Sequence, residues 1–245
     1  MIVLEEINTE FGHIKIIQSK RDGACTYYQD KCLHSKINLE GVSICGYVHV
    51  MYSIIQQSKA KSILMIGCAG GTLATMLHRL GCKVTVVDIN PVAFMLAKKY
   101  FQLPNEIECV VGDGWSYLLK TRKRYDAIAV DAFNSDGTVP GQFMTEEFFT
   151  VVKSVLTSFG VVAMNIVVEH DIDLLADHVV LNMESAKIPA RLFNCPGRTN
   201  RNIIVAGGPV EQLQISSHKK PTFVTREMQR TVRRTAKKRA ADRYK

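Results

Sequence analysis

The sequence lacks the features of several protein classes. Its seven cysteines are an odd number without a Cys-x-x-Cys pair, which argues against a disulfide framework or a zinc ribbon. No apolar run approaches the roughly 18 residues that a membrane-spanning helix needs. The first residues, MIVLEEINTEF, carry acids where a secretory signal peptide carries bases. We therefore expect a cytoplasmic protein without a membrane segment, and no convergent set of side chains predicts a metal site.

The positive charge is concentrated at one end of the chain. The formal net charge is +8, yet residues 219–245 hold eleven Lys and Arg against two acids. The rest of the chain is nearly balanced, so its basicity says little about a catalytic site. We treat residues 211–245 as a basic C-terminal tail. Two interpretations stay open: a solvated extension, or a contact for an anionic partner such as nucleic acid.

Short apolar runs alternate with helical stretches through the middle of the chain. Residues 62–67 and 83–88 are short and mainly apolar, as expected of strands buried on both faces of a parallel sheet. Similar runs follow at 107–113, 125–133 and 160–168. This alternation predicts an α/β fold with a doubly wound, mostly parallel sheet.

The same pattern suggests a division into three parts. Residues 1–50 contain short alternating runs separated by turn residues, which predicts a small N-terminal β domain. Residues 51–210 carry the alternating strands and helices and form the predicted catalytic domain. The basic tail completes the chain.

Gly67, Gly70 and Gly71 follow the first predicted strand of this sheet and precede a helix. Glycines at such a turn let the backbone approach a ligand closely. Their spacing, G-x-x-G-G, departs from the G-x-G-x-x-G of enzymes that bind hydride-carrying dinucleotides. It is closer to the loop of folds that bind S-adenosylmethionine.

Carboxylates stand at the ends of three consecutive predicted strands. Asp88 ends the second strand, where a carboxylate can accept both hydroxyls of a ribose. Asp113, directly before Gly114, ends the third strand and can accept from an adenine amino group, while Asp131 ends the fourth. Because the carboxyl ends of parallel strands meet at one edge, we expect these acids to share one crevice.

On these motifs the sequence resembles the spermidine synthase family of aminopropyltransferases over about residues 11–207. The resemblance is carried by IGCAGGTLA (66–74), VVDINPVAFMLAKKYF (86–101), VVGDGWSYL (110–118) and YDAIAVDAFNSDGTVP (125–140). It implies a Rossmann-like fold of the S-adenosylmethionine-dependent methyltransferase type with a small N-terminal β-hairpin domain. It also implies decarboxylated S-adenosylmethionine as the donor, a small amine or polyamine as the acceptor, and a homodimer.

The resemblance also assigns roles to individual residues. Asp88 would hold the ribose and Asp113 the adenine, and Asp131 would receive the acceptor amine. Tyr47 and Asp136 would line the acceptor groove, and Tyr47 would assist Asp131 in catalysis.

Two positions depart from the family pattern. His49 stands beside the tyrosine motif where the family carries a glutamate that binds the acceptor's ammonium, and we predict it as a substrate-binding residue. Gly70 stands where the family's loop usually carries an aspartate that repels the carboxylate of ordinary S-adenosylmethionine. This second departure favours an alternative function, an S-adenosylmethionine-dependent methyltransferase on the same fold. A third hypothesis is a non-catalytic nucleotide-binding protein.

Overall fold

The N-terminal part of the chain forms a four-stranded antiparallel sheet. The computed structural model describes residues 1–194, 199–213 and 232–235. The four strands pair in chain order, and two tight turns join the first strand to the second and the third to the fourth. They are β1 (Ile2–Thr9), β2 (Gly12–Gln18), β3 (Cys25–Gln29) and β4 (Cys32–Ile37).

The second sheet has eight strands in the described part of the chain. Its elements in chain order are α1 (Gly46–Gln57), β5 (Ser62–Ile66), α2 (Thr72–His78), β6 (Lys83–Asp88), α3 (Pro91–Tyr100), β7 (Glu108–Val111), α4 (Gly114–Lys120), β8 (Tyr125–Val130), a short 3-10 helix (Gly141–Met144), α5 (Glu146–Val155), β9 (Leu156–Val168), α6 (Leu175–Ser185), β10 (Ala190–Asn194), β11 (Arg201–Gly207) and β12 (Val232–Arg234). The strand order is β12-β10-β11-β9-β8-β5-β6-β7. The five strands from β9 to β7 are parallel to one another, whereas β11, β10 and β12 add antiparallel pairings.

Helices cover both faces of this sheet because alternate strand residues point in opposite directions. In β5, Ile63 and Met65 pack in one buried cluster with α1, α2 and α3. Their neighbours Leu64 and Ile66 pack in a second cluster with α4, α5 and α6. This arrangement confirms the predicted doubly wound, mostly parallel sheet and the small N-terminal β unit, whereas the domain boundaries at residues 50 and 210 stay a prediction.

Local sequence signals account for several helix ends. The Asn90 side chain accepts from the backbone N–H of Val92 at 3.0 Å, and Pro91 occupies the first turn of α3, as the sequence predicts. Helix α6 begins at Leu175, because the preceding residues form turns in which Asp173 accepts from the Leu175 N–H. Helix α4, which follows Asp113, was not predicted.

Two predictions depend on parts of the chain that the structure covers only partly. The six cysteines among the described residues form no disulfide, and Cys195 lies outside them. Within the predicted basic tail, Val232–Arg234 pairs with β10 as an edge strand. Most other tail residues lie outside the described part of the chain, as does any contact with an anionic partner. No helix within the described ranges is long and apolar enough to cross a bilayer.

Candidate active site

Four strands of the large sheet end at one edge and deliver the predicted site residues there. Gly67 follows β5, Asp88 ends β6, Asp113 follows β7 after one residue, and Asp131 follows β8. These strands are parallel neighbours in the order β8-β5-β6-β7, so their carboxyl ends form the rim of one crevice. The predicted convergence of the three acids is therefore present in the fold.

The first cavity at this rim has a volume of about 610 Å³. Gly67, Asp88, Asp113 and Gly114 line its floor. The turn between β1 and β2, residues 9–12, closes it from the other side, so the small N-terminal sheet forms part of the wall. Ile89, Val87 and Phe143 add apolar surface. A cavity of this size, lined by apolar side chains together with several polar groups and carboxylates, suits a nucleoside.

Asp88 is held rigidly at the floor of the first cavity. Its carboxylate accepts from the backbone N–H of Cys68 at 2.6 Å and from that of Asn90 at 2.8 Å. Burial raises the pKa of Asp88, and these backbone donors oppose that effect. A carboxylate oxygen has two lone pairs, so Asp88 retains capacity to accept hydroxyl groups of a ligand.

Asp113 combines a structural role with its place in the cavity wall. One of its oxygens accepts from the Ser116 N–H at 2.8 Å and caps α4. The cap fixes the carboxyl group against the first cavity, which it also lines. The predicted contact with an adenine amino group is compatible with this geometry and stays a prediction.

Close packing explains why the loop after β5 needs its first glycine. Gly67 has a φ of +93°, and a Cβ at this position would lie 2.2 Å from the Asp131 backbone oxygen. No side chain fits there, because the obstructing atom belongs to the backbone of the neighbouring loop. The glycine thus lets the loops that carry Cys68 and Asp131 approach each other.

Gly70 and Gly71 do not line either cavity, in contrast to the sequence-based expectation. The Gly70 N–H donates to Ser35 Oγ at 3.1 Å, and a Cβ on Gly70 would lie 2.8 Å from atoms of Ser35 and Phe101. This glycine allows the N-terminal sheet to pack on the loop. The loop residue that lines both cavities is Ala69, which has a φ of +45°. A carboxylate supplied to the ligand by this loop would therefore belong at position 69.

A second cavity of about 890 Å³ adjoins the first. Its wall contains Tyr47 from α1 and the loop after β8 with Asp136, as predicted for an acceptor groove. Glu169 and Asp173, which follow β9, also line it, whereas no Lys or Arg among the described residues does. Clefts lined by charges of one sign attract ligands of the opposite sign, so this cavity favours a cationic ligand.

The two cavities meet at Asp131, which lines both together with His34, Ala69 and Phe133. The Asp131 carboxyl accepts from the Asn165 side-chain amide at 2.8 Å, and the Tyr47 hydroxyl lies 3.3 Å from its other oxygen. The same hydroxyl lies 3.2 Å from the His34 backbone oxygen.

A further amide fixes the orientation of Asn165. The Asn202 side chain on β11 donates to Asn165 Oδ1 at 3.0 Å, which leaves the Asn165 NH₂ group directed at Asp131. Asn165 is buried within β9. The two asparagines therefore form a rigid support for the carboxyl group at the junction.

Burial controls the protonation of the junction. It raises the pKa of Asp131 from 3.8 to about 6, although the hydrogen bonds from Asn165 and Tyr47 act in the opposite direction. Burial, and next the negative charge of Asp131, raise the pKa of Tyr47 well above its usual range. At neutral pH the junction thus holds a carboxylate with elevated proton affinity beside a protonated phenol, which is a suitable arrangement for general base catalysis.

His49 does not occupy the position predicted from the sequence. It is buried in α1, with Nε2 2.7 Å from the Ser43 backbone oxygen, and it lines neither cavity. The helical turn that carries Tyr47 toward the junction directs His49 to the packed side of α1. Its location does not support the predicted acceptor-binding role.

Sequence reasoning missed several residues that line the junction or the second cavity. Asn165 had a detectable signal, because a polar residue within the apolar run VVAMNIVV has to find a partner when the strand is buried. His34, Glu169 and Asn202 had no such signal in the sequence, because only the tertiary fold brings β4, β11 and the loop after β9 to one cavity.

Comparison with known proteins shows which family the chain resembles. A family model described as the spermine/spermidine synthase domain matches residues 47–186. A polyamine aminopropyltransferase from Sulfurisphaera tokodaii is 28% identical over 169 residues, which cover 65% of this chain and 55% of that protein. An N-terminal histidine N-methyltransferase from Emericella nidulans is 30% identical over 123 residues, covering 48% of this chain and 22% of that protein. The chain thus spans little more than half, or less, of the curated relatives it matches.

Solved structures show the same architecture. A probable spermidine synthase from Corynebacterium glutamicum superposes with a TM-score of 0.78 at 19% identity, covering 96% of this chain and 90% of that one. At this identity the likeness establishes the fold.

Proposed function

The chain belongs to the spermine/spermidine synthase family, and on that premise we propose that it transfers an aminopropyl group from decarboxylated S-adenosylmethionine to an amine acceptor, releasing methylthioadenosine. The observation that carries this proposal is the meeting of two cavities at one buried carboxyl group, Asp131. One cavity has the features of a nucleoside site and the other those of a cation site. A group transfer between two substrates needs such a junction.

The donor occupies the first cavity in this proposal. Asp88 accepts the ribose hydroxyls and Asp113 accepts from the adenine, while Ile89 and Phe143 contact the apolar surface of the nucleoside. The sulfonium then lies toward Asp131, where the first cavity opens into the second. The rigid floor orients the donor without a large rearrangement, which favours a reaction between positioned partners.

The acceptor enters through the second cavity as an ammonium ion. Asp136 and Glu169 attract it electrostatically, and the amine reaches Asp131. An ammonium has no free electron pair, so it must lose a proton before it can attack. Asp131 accepts that proton as general base, and its raised pKa makes it a better proton acceptor than an exposed aspartate.

The proposed reaction is a nucleophilic displacement. The amine lone pair forms the new N–C bond to the carbon next to the sulfonium, while the C–S bond breaks and its electron pair returns to sulfur as a neutral thioether. The positive charge lost by the sulfur now lies on the product nitrogen, and Asp131 holds the proton taken from the acceptor's ammonium.

Tyr47 adapts to the charge of Asp131 during this step. Its hydroxyl has one hydrogen and lies within reach of two acceptors, Asp131 Oδ2 and the His34 backbone oxygen. While Asp131 is ionised, the hydroxyl can stabilise it by donating a hydrogen bond. Once Asp131 carries the proton, it can donate to Tyr47, and Tyr47 can donate to the His34 carbonyl group. Tyr47 therefore assists the base without itself losing a proton.

Methyl transfer from S-adenosylmethionine is the second candidate, and one observation favours it. The loop residue that lines both cavities is Ala69, which offers no charge to the donor's side chain. An uncharged wall neither attracts an aminopropyl ammonium nor repels a carboxylate. Partial similarity to a histidine N-methyltransferase points in the same direction.

Product analysis by mass decides between the two reactions. The protein is incubated separately with decarboxylated S-adenosylmethionine and with S-adenosylmethionine, each with a panel of diamines and polyamines. We expect acceptors that gain an aminopropyl unit, with formation of methylthioadenosine. Acceptors that gain a methyl group, with formation of S-adenosylhomocysteine, would support the second candidate instead. Size-exclusion chromatography with light scattering tests the homodimer that the family resemblance implies.

A further inference from the structure

His34 occupies a fixed position at the junction of the two cavities. It lies on β4 and lines both cavities. Its imidazole makes edge-to-face contacts with Tyr27 and Phe133, with ring centroids 6.3 Å apart in each case. Its backbone oxygen is the one that the Tyr47 hydroxyl approaches. The ring is therefore held beside the reacting groups by contacts on two sides.

The imidazole has a hydrogen-bonding group that no residue in the described part of the chain satisfies. Among the buried side-chain nitrogen and oxygen atoms of the described residues, His34 Nε2 is the one without a hydrogen-bond partner. Native proteins pair nearly all such atoms, so an exception calls for an explanation. One explanation is a ligand that forms the missing hydrogen bond with Nε2, and the position of His34 in both cavity walls favours this explanation.

The charge state of His34 suits this role. Burial lowers its pKa to about 4, while Asp30 opposes that effect, so the ring is neutral at physiological pH. A neutral imidazole presents one N–H donor and one nitrogen acceptor. It can therefore bind an amine without placing a second positive charge beside a sulfonium.

We infer that His34 is a substrate-binding residue for the acceptor, and that its ring nitrogen binds the attacking amine together with Asp131. This inference rests on the proposed function. A primary amine ready to attack has two N–H groups and one lone pair. If Asp131 and His34 each accept one N–H, the lone pair is left to point at the donor carbon. The ring thereby restricts the orientation of the nucleophile, which is a source of rate acceleration.

Two substitutions separate hydrogen bonding from packing. His34→Phe keeps an aromatic ring between Tyr27 and Phe133 but removes both ring nitrogens. His34→Gln sacrifices the aromatic contacts but restores a polar group that can reach the Nε2 region. His78→Phe, at the end of α2 and away from both cavities, is the matched control.

We expect His34→Phe to lower kcat/KM for the acceptor about tenfold, which is the effect typical of one lost hydrogen bond. His34→Gln should recover part of that loss although it packs less well, and His78→Phe should behave like the wild type. The Kd of methylthioadenosine should stay within about twofold in all three variants, and thermal unfolding monitors folding. A purely structural role predicts the reverse order, with His34→Phe more active than His34→Gln. That order, or an effect on methylthioadenosine binding alone, would overturn the inference.

A binding measurement keeps this test separate from the proposed function. If the wild type transfers no aminopropyl group to any amine of the panel, the proposed function has failed. Equilibrium binding of 1,4-diaminobutane to the protein saturated with methylthioadenosine then decides the role of His34. A Kd about tenfold higher in His34→Phe than in the wild type supports that role. An equal Kd, or no binding to the wild type, refutes it.

Discussion

Asp131→Asn should abolish transfer without destabilising the protein, because the same burial that makes Asp131 a base makes it a costly residue to ionise. Its pKa rises from 3.8 to about 6. At about 1.36 kcal/mol per pK unit, ionisation inside the folded protein costs about 3 kcal/mol relative to the unfolded chain. Asparagine removes the charge and retains an oxygen that accepts from Asn165. At pH 7.5 the free energy of unfolding should therefore stay equal or rise by up to about 3 kcal/mol.

The stability difference should depend on pH in a defined direction. Between about pH 4 and pH 6 the folded wild type binds a proton at Asp131 more tightly than the unfolded chain does, so its stability gains as the pH falls through this window. Asp131→Asn has no such contribution. Its advantage at pH 7.5, a Tm higher by up to about 10 °C, should shrink toward zero near pH 4.

Thermal unfolding across this pH range, combined with turnover at neutral pH, is the assay. Turnover should fall about 10³-fold, since a general base typically contributes 10² to 10⁴, whereas methylthioadenosine binding should persist. Asp126→Asn is the matched control at the other end of β8. The Asp126 carboxylate accepts from the N–H groups of Lys61 and Ser62, and these bonds lower its pKa, so its substitution should reduce Tm and leave turnover intact. A clear loss of Tm in Asp131→Asn at pH 7.5, or retained turnover, would refute the reasoning.

Three further predictions follow from the same geometry. Asn165→Ala removes a hydrogen bond that favours the ionised form of Asp131. The acidic limb of the pH profile of kcat/KM, expected near pH 6 in the wild type, should therefore move to higher pH, and an unmoved limb would contradict the supporting role of Asn165. Ala69→Asp places a carboxylate between the cavities. Calorimetry should show that the preference for decarboxylated over carboxylated S-adenosylmethionine, expressed as the ratio of their Kd values, increases about tenfold or more, whereas an unchanged ratio would show that position 69 does not face the donor's side chain. Gly67→Ala should lower Tm by about 5 °C or more because its Cβ would clash with the Asp131 backbone. Gly141→Ala, whose Cβ would have no atom within 4 Å, should unfold like the wild type, and equal Tm values for both variants would refute the packing argument.

Local sequence signals predicted the parts of the fold that depend on neighbouring residues. The apolar run of β5 and the Asn90–Pro91 start of α3 each follow from local rules, and the structure reproduces both. The same rules placed Asp88, Asp113 and Asp131 at strand ends. Because parallel strands share an edge, position along the chain was sufficient to predict their convergence.

The parts that could not be predicted depend on which side of an element a residue faces. The motif around Tyr47 identified the correct helix, but a difference of two residues along α1 turns His49 to the packed side of the helix. In the glycine loop, a difference of one residue separates Ala69, which lines both cavities, from Gly70, which is packed against Phe101. Motif spacing predicts that a loop is present, whereas its backbone conformation decides which residue meets the ligand.

The glycine loop and the tyrosine motif together suggest where this chain places the counter-charges for its substrates. The family resemblance assigns counter-charges to the glycine loop and to the residue after the tyrosine motif, and here those places hold Ala69, Gly70 and the buried His49. The acidic groups that line the second cavity instead follow β8 and β9. Of these, Asp173 already accepts from two backbone N–H groups, whereas Glu169 is exposed at the cavity wall. In the proposed function, the counter-charge for the acceptor would therefore come from the loops at the carboxyl ends of the strands and not from helix α1. Such loops change readily without disturbing the sheet, so we expect acceptor selectivity to depend on them, while Asp131 and its support from Asn165 determine the chemistry.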